Sequence, residues 1–130
     1  RGGALDDATG KQIKELDKYI KSNPPLRQNI RVYRGMRQVE GLDFEPGSTF
    51  VHKGFMSTSL EEKSAVKFAQ GKDAVLLRMT ATSGNKAVAG GGAGESEIIF
   101  APGARVRILR TETEVIDEVE VKVVYTEIEP

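Results

Sequence analysis

The sequence predicts an α+β domain, because segments with strand character outnumber helical ones and short turns between them favour antiparallel neighbours. The chain has 130 residues, of which 38% are hydrophobic and 29% are charged. This composition is that of an ordinary globular protein, and we expect one domain over residues 1–130 with a single core. The 19 basic and 19 acidic residues give a formal net charge of +0.

The composition also excludes several classes of function. The chain has no Cys, which rules out a disulfide framework, a zinc finger and a cysteine nucleophile. No apolar run reaches the ~20 residues that cross a bilayer, so we expect no membrane span. An isoelectric point near 6.8 and the lack of a basic tract remove the electrostatic reason to propose nucleic-acid binding. We therefore expect a small-molecule or protein substrate.

Two helices are predicted from capping patterns. Capping boxes begin at Thr9 and at Ser59, and apolar residues follow each of them at helical spacing. Asn23-Pro24-Pro25 ends the first helix, and Gly71 is placed to end the second. The apolar stripe of the second helix consists of Leu60, Ala65, Val66, Phe68 and Ala69.

Strands are predicted where extended patterns lie between turn residues. The predicted extended segments are residues 30–34, 49–57 with a break at Gly54, 74–80, 95–100, 105–109 and 119–128. In the first of them, Ile30, Val32 and Arg34 share one face. Residues 39–48 have loop character, and we expect the glycine-rich connection over residues 83–94 to be mobile.

The glycine run that ends at Gly94 does not fit a phosphate-binding loop. Both the P-loop and the dinucleotide fingerprint lead into a helix, whereas Gly94 is followed by Glu95-Ser96-Glu97 and a predicted strand. Taken alone, the run reads as a flexible linker.

Two carboxylates follow that run on one face of a strand. Period-two geometry places Glu95 and Glu97 about 7 Å apart, while Ile98 and Phe100 face the core. Neighbouring carboxylates repel unless a cation or a cationic substrate is expected there. A solvated edge face is the alternative interpretation.

Arg34 and the hydroxyl triplet Ser57-Thr58-Ser59 are the other candidates for chemistry. A guanidinium on a core-facing strand face needs an anionic partner, and its planar fork suits phosphate oxygens. Gly35 beside it lets another molecule approach the backbone closely. Ser59 alone satisfies a helix cap, so three successive hydroxyls exceed what capping requires.

His52 is the single histidine of the chain. A Ser-His-Asp triad would have to use it, but no nucleophile elbow or third member is marked, and a lone histidine is usually structural. One histidine without clustered ligands also gives no reason to expect a metal site.

In order along the chain, three motifs resemble those of the mono-ADP-ribosyltransferase family of actin- and arginine-modifying bacterial toxins. The Arg, Ser-Thr-Ser and Glu-x-Glu motifs are matched by Tyr33-Arg34-Gly35, Phe55-Met56-Ser57-Thr58-Ser59 and Glu95-Ser96-Glu97. Residues 98–109, with their Pro-Gly turn, resemble the segment after the glutamates, and Arg1-Gly2-Gly3 resembles the end of the family's Asn-x-x-Leu-Arg element.

The resemblance covers nearly the whole chain and implies the ADP-ribosyltransferase fold. That fold is a split β-sandwich of two packed, mostly antiparallel sheets with flanking helices. Because Arg1 is not an initiator Met, we expect a mature product or a piece of a longer chain. The resemblance further implies that one or more N-terminal helices of the usual domain are missing.

The resemblance also implies an activity, namely transfer of ADP-ribose from NAD, as co-substrate and without a metal, to an arginine of a target protein. Glu97 would stabilise the oxocarbenium-like sugar through its 2′-hydroxyl, Ser57 would position Glu97, and Glu95 would select arginine. The implied NAD-binding residues are Arg34 and Arg1 on the phosphates, Gly35 at the carboxamide, and Ser57, Thr58 and Ser59 around the nicotinamide.

The same resemblance suggests a biological setting. A compact transferase fits a toxin or effector domain that is secreted or delivered into a target cell and acts in its cytoplasm, with a cognate immunity protein as a reasonable partner. It also fits a phage-encoded host-modifying enzyme. Two alternatives stay open, an NAD glycohydrolase in which water attacks and a non-catalytic interaction module on the same fold.

Overall fold

The computed structural model describes residues 18, 20, 22, 24–37, 44–69, 74–90 and 96–130. Of the first predicted helix, Lys18, Ile20 and Ser22 fall within this part of the chain, and all three are helical. The later elements are β1 (Ile30–Arg37), β2 (Thr49–His52), β3 (Met56–Ser59), α1 (Glu62–Val66), β4 (Ala74–Ala81), β5 (Ala87–Gly90), β6 (Glu97–Phe100), β7 (Ala104–Ile116) and β8 (Val119–Glu129). The α+β class is therefore confirmed. Within the described ranges, no helix is both long enough and apolar enough to cross a membrane.

The eight strands form one hydrogen-bonded array that is nearly divided in two. Their order is β2-β7-β8-β4-β1-β3-β6-β5, and every pairing is antiparallel except that of β4 with β8. β1 and β4 pair along their full length, but β1 and β3 pair only at Tyr33 and Ser59. The array therefore splits into a five-stranded part from β2 to β1 and a three-stranded part from β3 to β5, as expected for a split β-sandwich.

The main core lies between these two parts. Val32 of β1 and Met79 of β4 belong to the same buried cluster as Met56 of β3 and Phe100 of β6. A second cluster covers the other face of the five-stranded part, where Ala65 and other residues of α1 and its C-terminal end meet β4 and β8. β4 is covered on both faces, which explains its nearly continuous apolar sequence.

A short connection brings the two parts together at their ends. Residues 53–55 join β2, an edge of the five-stranded part, to β3 of the three-stranded part. At ~3.3–3.6 Å per extended residue, these strand ends lie no more than about 14 Å apart. The predicted break of this segment at Gly54 is confirmed, and it places the end of β2 near β1 and β3.

Helix α1 begins later than the capping box at Ser59 predicts. The Ser59 hydroxyl accepts a hydrogen bond from the Glu61 backbone N–H, and the N-cap residue Glu61 makes no side-chain capping bond. The Glu62 carboxylate accepts instead from Arg78 Nε at 2.6 Å, because this partly buried arginine on β4 competes for it. The predicted capping box is therefore wrong. Glu62, the acidic residue of that box, instead anchors the helix to the sheet through Arg78. The helix also ends at Val66, before the predicted stop at Gly71, and Gly71 itself lies outside the described residues.

The predicted apolar stripe of α1 is right in part. Ala65, Val66 and Ala69 are buried, whereas Leu60 is 48% and Phe68 is 71% exposed. The helix ends at Val66, so Leu60 precedes it and Phe68 follows it. Helical periodicity does not govern side chains beyond the ends of a helix, which is why these two depart from the stripe.

β5 and β7 depart most from the predicted strands. β5 lies inside the glycine-rich connection that we expected to be mobile, and its Val88 is buried. Its pairing with β6 supplies hydrogen bonds that local composition does not reveal. β7 runs to Ile116 instead of residue 109, because the polar stretch from Arg110 onward pairs with β8.

Candidate active site

A cleft of about 560 Å³ opens where β1 and β3 separate. It is lined by Tyr33, Arg34, Gly35, Ser57, Thr58, Ser59, Glu61, Ser64, Ala65, Phe68, Ser96 and Glu97. Because β1 and β3 pair at a single position, the backbone beyond Tyr33 diverges and leaves space between the strands. A cleft of this volume is in the range of small-molecule and cofactor sites.

Arg34, Ser57 and Glu97 meet in this cleft, although they are widely separated in sequence. Arg34 Nη1 donates to the Ser57 carbonyl oxygen at 2.8 Å, and the Ser57 hydroxyl donates to a Glu97 carboxylate oxygen. The pairing of β3 with β6 places Ser57 opposite Ile99, so Ser57 and Glu97 point to the same side. Arg34, the hydroxyl triplet and Glu97 therefore line one cleft.

The Arg34 guanidinium is held by neutral groups. Its second contact is with Nε2 of His52, 3.4 Å from Nη2, and its Nε is buried without a hydrogen-bond partner. Among the residues that the structure describes, no carboxylate pairs with it. Burial without an anion lowers the pKa of Arg34 from its ordinary value. The cleft thus presents a cation whose anionic partner is not supplied by the described chain.

Thr58 and Ser59 differ in the direction of their side chains. Thr58 is buried, and its hydroxyl donates to the Ile98 carbonyl oxygen at 2.8 Å. This bond fastens β3 to β6 and accounts for Thr58 without a ligand. Ser59 alternates to the cleft side of β3, where it pairs in register with Glu97.

Gly35 is explained by packing of α1 against β1. A Cβ atom at this position would lie 2.9 Å from the carbonyl carbon and from the Cβ of Phe68, and closer still to the carbonyl oxygen of Ala65. The molecule that approaches the Gly35 backbone is therefore the protein's own helix, and the same residue also lines the cleft.

Two predicted site residues, Glu95 and Arg1, lie outside the described residues. Sequence reasoning missed Glu61 and Phe68 on the cleft wall: the periodic pattern assigned Phe68 to a buried helix face, and no periodic signal marks Glu61. Glu61 accepts a hydrogen bond from the Ser96 hydroxyl at 3.3 Å, which links the start of α1 to the residue before Glu97. Its position directly after Ser-Thr-Ser and Leu60 is the signal that could have found it.

No hydrogen bond joins His52 to Ser57 in the described structure, so these residues form no catalytic pair. Its ring contacts Arg34 and the Gly54 carbonyl oxygen. Among the residues that the structure describes, no three metal-ligating side chains come together.

Comparison with solved structures identifies the fold as that of ADP-ribosyltransferase toxins. Plx2a, an ADP-ribosyltransferase toxin from Paenibacillus larvae, matches with a TM-score of 0.79 and 18% identity over 100% of this chain and 75% of its own. BECa, an ADP-ribosylating toxin of a C. perfringens binary enterotoxin solved with NADH, matches with a TM-score of 0.72 and 16% identity over 98% of this chain and 36% of its own. Exoenzyme S from Pseudomonas aeruginosa, in complex with human 14-3-3 protein beta and bound to carba-NAD, matches with a TM-score of 0.70 and 20% identity over 97% of this chain and 61% of its own.

Comparison of the sequence with family models leads to the same family as the comparison of folds. A family model described as ADP-ribosyltransferase exoenzyme matches residues 2–128, and the chain belongs to this family. The family's reaction is the transfer of ADP-ribose. No curated protein matches the sequence.

Proposed function

We propose that the chain is an NAD-dependent protein-arginine mono-ADP-ribosyltransferase, a single catalytic domain that acts as a toxin or effector. In this reaction the bond between ribose C1′ and the nicotinamide nitrogen breaks, and C1′ bonds to a guanidinium nitrogen of the target arginine, which loses a proton. The observation that carries the proposal is the meeting of Arg34, Ser57 and Glu97 in one cleft.

Arg34 fits the phosphates of NAD. Its side chain is partly buried, faces no carboxylate among the described residues, and keeps a buried Nε without a partner. Phosphate oxygens would supply the missing acceptors and the missing negative charge, in a geometry suited to the planar guanidinium. Arg1 would add a second phosphate contact. Two relatives with this fold were solved with NADH and with carba-NAD, which supports NAD as the co-substrate.

Glu97 fits the sugar that becomes positively charged. Its carboxylate accepts the Ser57 hydroxyl bond and lines the cleft, so it is oriented before any ligand arrives. A carboxylate that binds the 2′-hydroxyl of the nicotinamide ribose gains strength as an oxocarbenium forms. Ser57 is then the residue that positions the acid, while Ser59, Thr58 and Gly35 shape the nicotinamide end of the cleft.

The choice of arginine as acceptor depends on Glu95. A guanidinium has a pKa above about 12, so an acceptor arginine needs an acid that attracts it and helps to remove its proton. Glu95 is two residues before Glu97 in the sequence, so its carboxyl group belongs to the same short acidic motif. We propose that the protein is secreted or delivered into a target cell, acts there on a target protein, and is neutralised by a cognate immunity protein.

An acceptor assay tests this proposal. The chain is incubated with labelled NAD, with and without an arginine-bearing peptide, and both nicotinamide release and peptide mass are measured. We expect the peptide to stimulate release and to gain one ADP-ribose on arginine, with a lysine-bearing peptide as the matched control. Release without transfer would instead indicate a glycohydrolase, and the absence of NAD binding in calorimetry would indicate a non-catalytic module.

The target is identified by the same label. Bacterial and eukaryotic lysates are incubated with the enzyme and labelled NAD, and modified proteins are found by mass spectrometry. We expect modification of a discrete protein on arginine, whereas label on other residue types only would contradict arginine specificity.

A further inference from the structure

His52 contacts Arg34, but the proposed reaction assigns no role to His52. The residue ends β2 and lies behind the Arg34 guanidinium, since it contacts Arg34 but does not line the cleft. Any effect of His52 on a ligand in the cleft must therefore pass through Arg34. This arrangement distinguishes a residue that positions another from one that touches substrate.

The two hydrogen bonds of the His52 ring require the same protonation state. Nδ1 lies 2.9 Å from the Gly54 carbonyl oxygen, which can only accept, so Nδ1 carries the proton. The Nε2 of a neutral ring then has a lone pair, and the guanidinium 3.4 Å away can only donate. The carbonyl therefore fixes the tautomer that lets His52 accept from Arg34.

Arg34 has few other constraints on its direction. Among the described residues its guanidinium contacts only the Ser57 carbonyl oxygen and His52, and Nε has no partner. One contact leaves a long side chain free to rotate about that bond, whereas two contacts on different Nη atoms fix the plane of the guanidinium. A fixed plane matters because bidentate phosphate binding is directional.

We propose that His52 is a positioning residue, which in its neutral Nδ1-protonated form holds the Arg34 guanidinium in the plane that receives the phosphates of NAD. The inference rests on the proposed function, because it assigns Arg34 to the NAD phosphates. It predicts that loss of the Nε2 acceptor weakens dinucleotide binding more than it slows the chemical step.

Substitutions at His52 test the acceptor directly. His52→Gln places an amide oxygen near the position of Nε2, so it should preserve the bond, while His52→Phe keeps a ring and removes both polar atoms. His52→Asn retains a polar group that reaches toward Gly54 but is too short for Arg34, and it serves where the Phe variant folds poorly. Val51→Thr, at an exposed neighbour on the same strand, is the matched control.

The readouts are the Kd for ADP-ribose by calorimetry, the KM and kcat for nicotinamide release, and the melting temperature. We expect His52→Phe and His52→Asn to raise Kd and KM about tenfold, the effect of losing one hydrogen bond to a charged group, with kcat within about twofold. His52→Gln and Val51→Thr should stay within about threefold of the wild type.

A double-mutant cycle shows whether the effect passes through Arg34. In an Arg34→Lys background the ammonium lacks the planar fork, so His52→Phe should change Kd by less than about twofold. The inference would be overturned if His52→Phe and the wild type had equal Kd values, or if the Gln and Asn variants lost the same affinity. It would also be overturned if His52→Phe raised Kd as much in the Arg34→Lys background as in the wild type. A wild-type chain that binds neither NAD nor ADP-ribose would overturn the proposed function as well, so the two failures are distinguishable.

Discussion

The Ser57 hydroxyl donates a hydrogen bond to the Glu97 carboxylate, across the antiparallel pairing of β3 and β6. The two residues lie 40 positions apart in the sequence. The bond holds one carboxylate oxygen toward Ser57 and leaves the other able to face the cleft. It therefore links the hydroxyl triplet to the acid through a direct contact, and the predicted effects of both residues depend on it.

Glu97→Gln should nearly abolish ADP-ribosyl transfer. The amide is the same size but lacks the negative charge that stabilises a cationic sugar, and loss of one electrostatic contact to a transition state costs about 10²–10³-fold in rate. Nicotinamide release, NAD affinity and melting temperature are measured in parallel. We expect only the rate to change substantially, and a Gln variant with comparable activity would sink the assignment of Glu97.

Ser57→Ala should lower kcat about 10–100-fold, because a hydrogen bond to a charged group contributes ~1.5–3 kcal/mol. The loss arises from misdirection of Glu97, so in a Glu97→Gln background the same substitution should have almost no effect. The comparison of the four proteins by nicotinamide release checks this. Additive losses would mean that Ser57 acts on substrate independently of Glu97.

Glu95→Gln should reduce transfer to arginine and spare hydrolysis of NAD. The neutral amide no longer attracts the guanidinium or helps to remove its proton, while the contacts to NAD are unaffected. The two rates are measured on the same preparation with an arginine-bearing peptide and without it. Equal loss of both activities would make Glu95 a structural residue.

Gly35→Ala should destabilise the fold by at least about 1–3 kcal/mol, the usual cost of overpacking. The new methyl group would overlap the Ala65 carbonyl and the Phe68 backbone, so α1 would have to move away from β1. Gly54→Ala is the matched control, because a Cβ there meets nothing within 4 Å. Chemical denaturation of both variants compares them, and equal stability would contradict the packing role of Gly35.

Glu114→Gln should reduce the loss of protein stability that occurs as the pH falls from neutral to acid values. Hydrogen bonding to Arg78 holds the pKa of Glu114 below its usual value, so the folded protein binds this proton less readily than the unfolded chain does. Glu114 therefore contributes stability above the unfolded pKa of about 4.3, and the contribution is lost as pH falls through the lower folded value.

Melting temperatures between pH 7 and pH 2 measure this effect. The Gln variant should be less stable than the wild type near pH 7, and the difference should shrink at acid pH. Glu120→Gln, at an exposed position of β8, is the control that should follow the wild-type curve. A constant difference at all pH values would show that Glu114 acts through packing alone.

Much of the fold could be predicted because it is encoded by local patterns. β4 is a nearly continuous apolar run, β8 alternates, and Ile30 shares a core-facing side of β1 with Val32, so the positions of these strands follow from period and burial. β5 and the second half of β7 could not be predicted in this way. Their stability depends on pairing with β6 and β8, and a polar or glycine-rich segment carries no local sign of its partner.

The helix start was mispredicted for a similar reason. Ser59 and Glu62 have the spacing of a capping box, but Arg78 on β4 bonds Glu62 as well as Glu114 and Tyr125 and so draws Glu62 into that cluster. A charge-assisted bond at 2.6 Å outweighs a local capping bond. The competing residue is distant in the sequence, so no local pattern reveals it.

By itself the sequence determined the α+β class, the alternating faces of the strands and the order of the motifs that form the proposed site, because these depend on short-range periodicity and motif order. The tertiary structure decided which of those residues meet: it set Arg34 against Ser57 and His52, and it gave the space beside Gly35 to α1. These outcomes depend on contacts between distant segments, whose geometry is fixed only when the two parts of the sheet pack together.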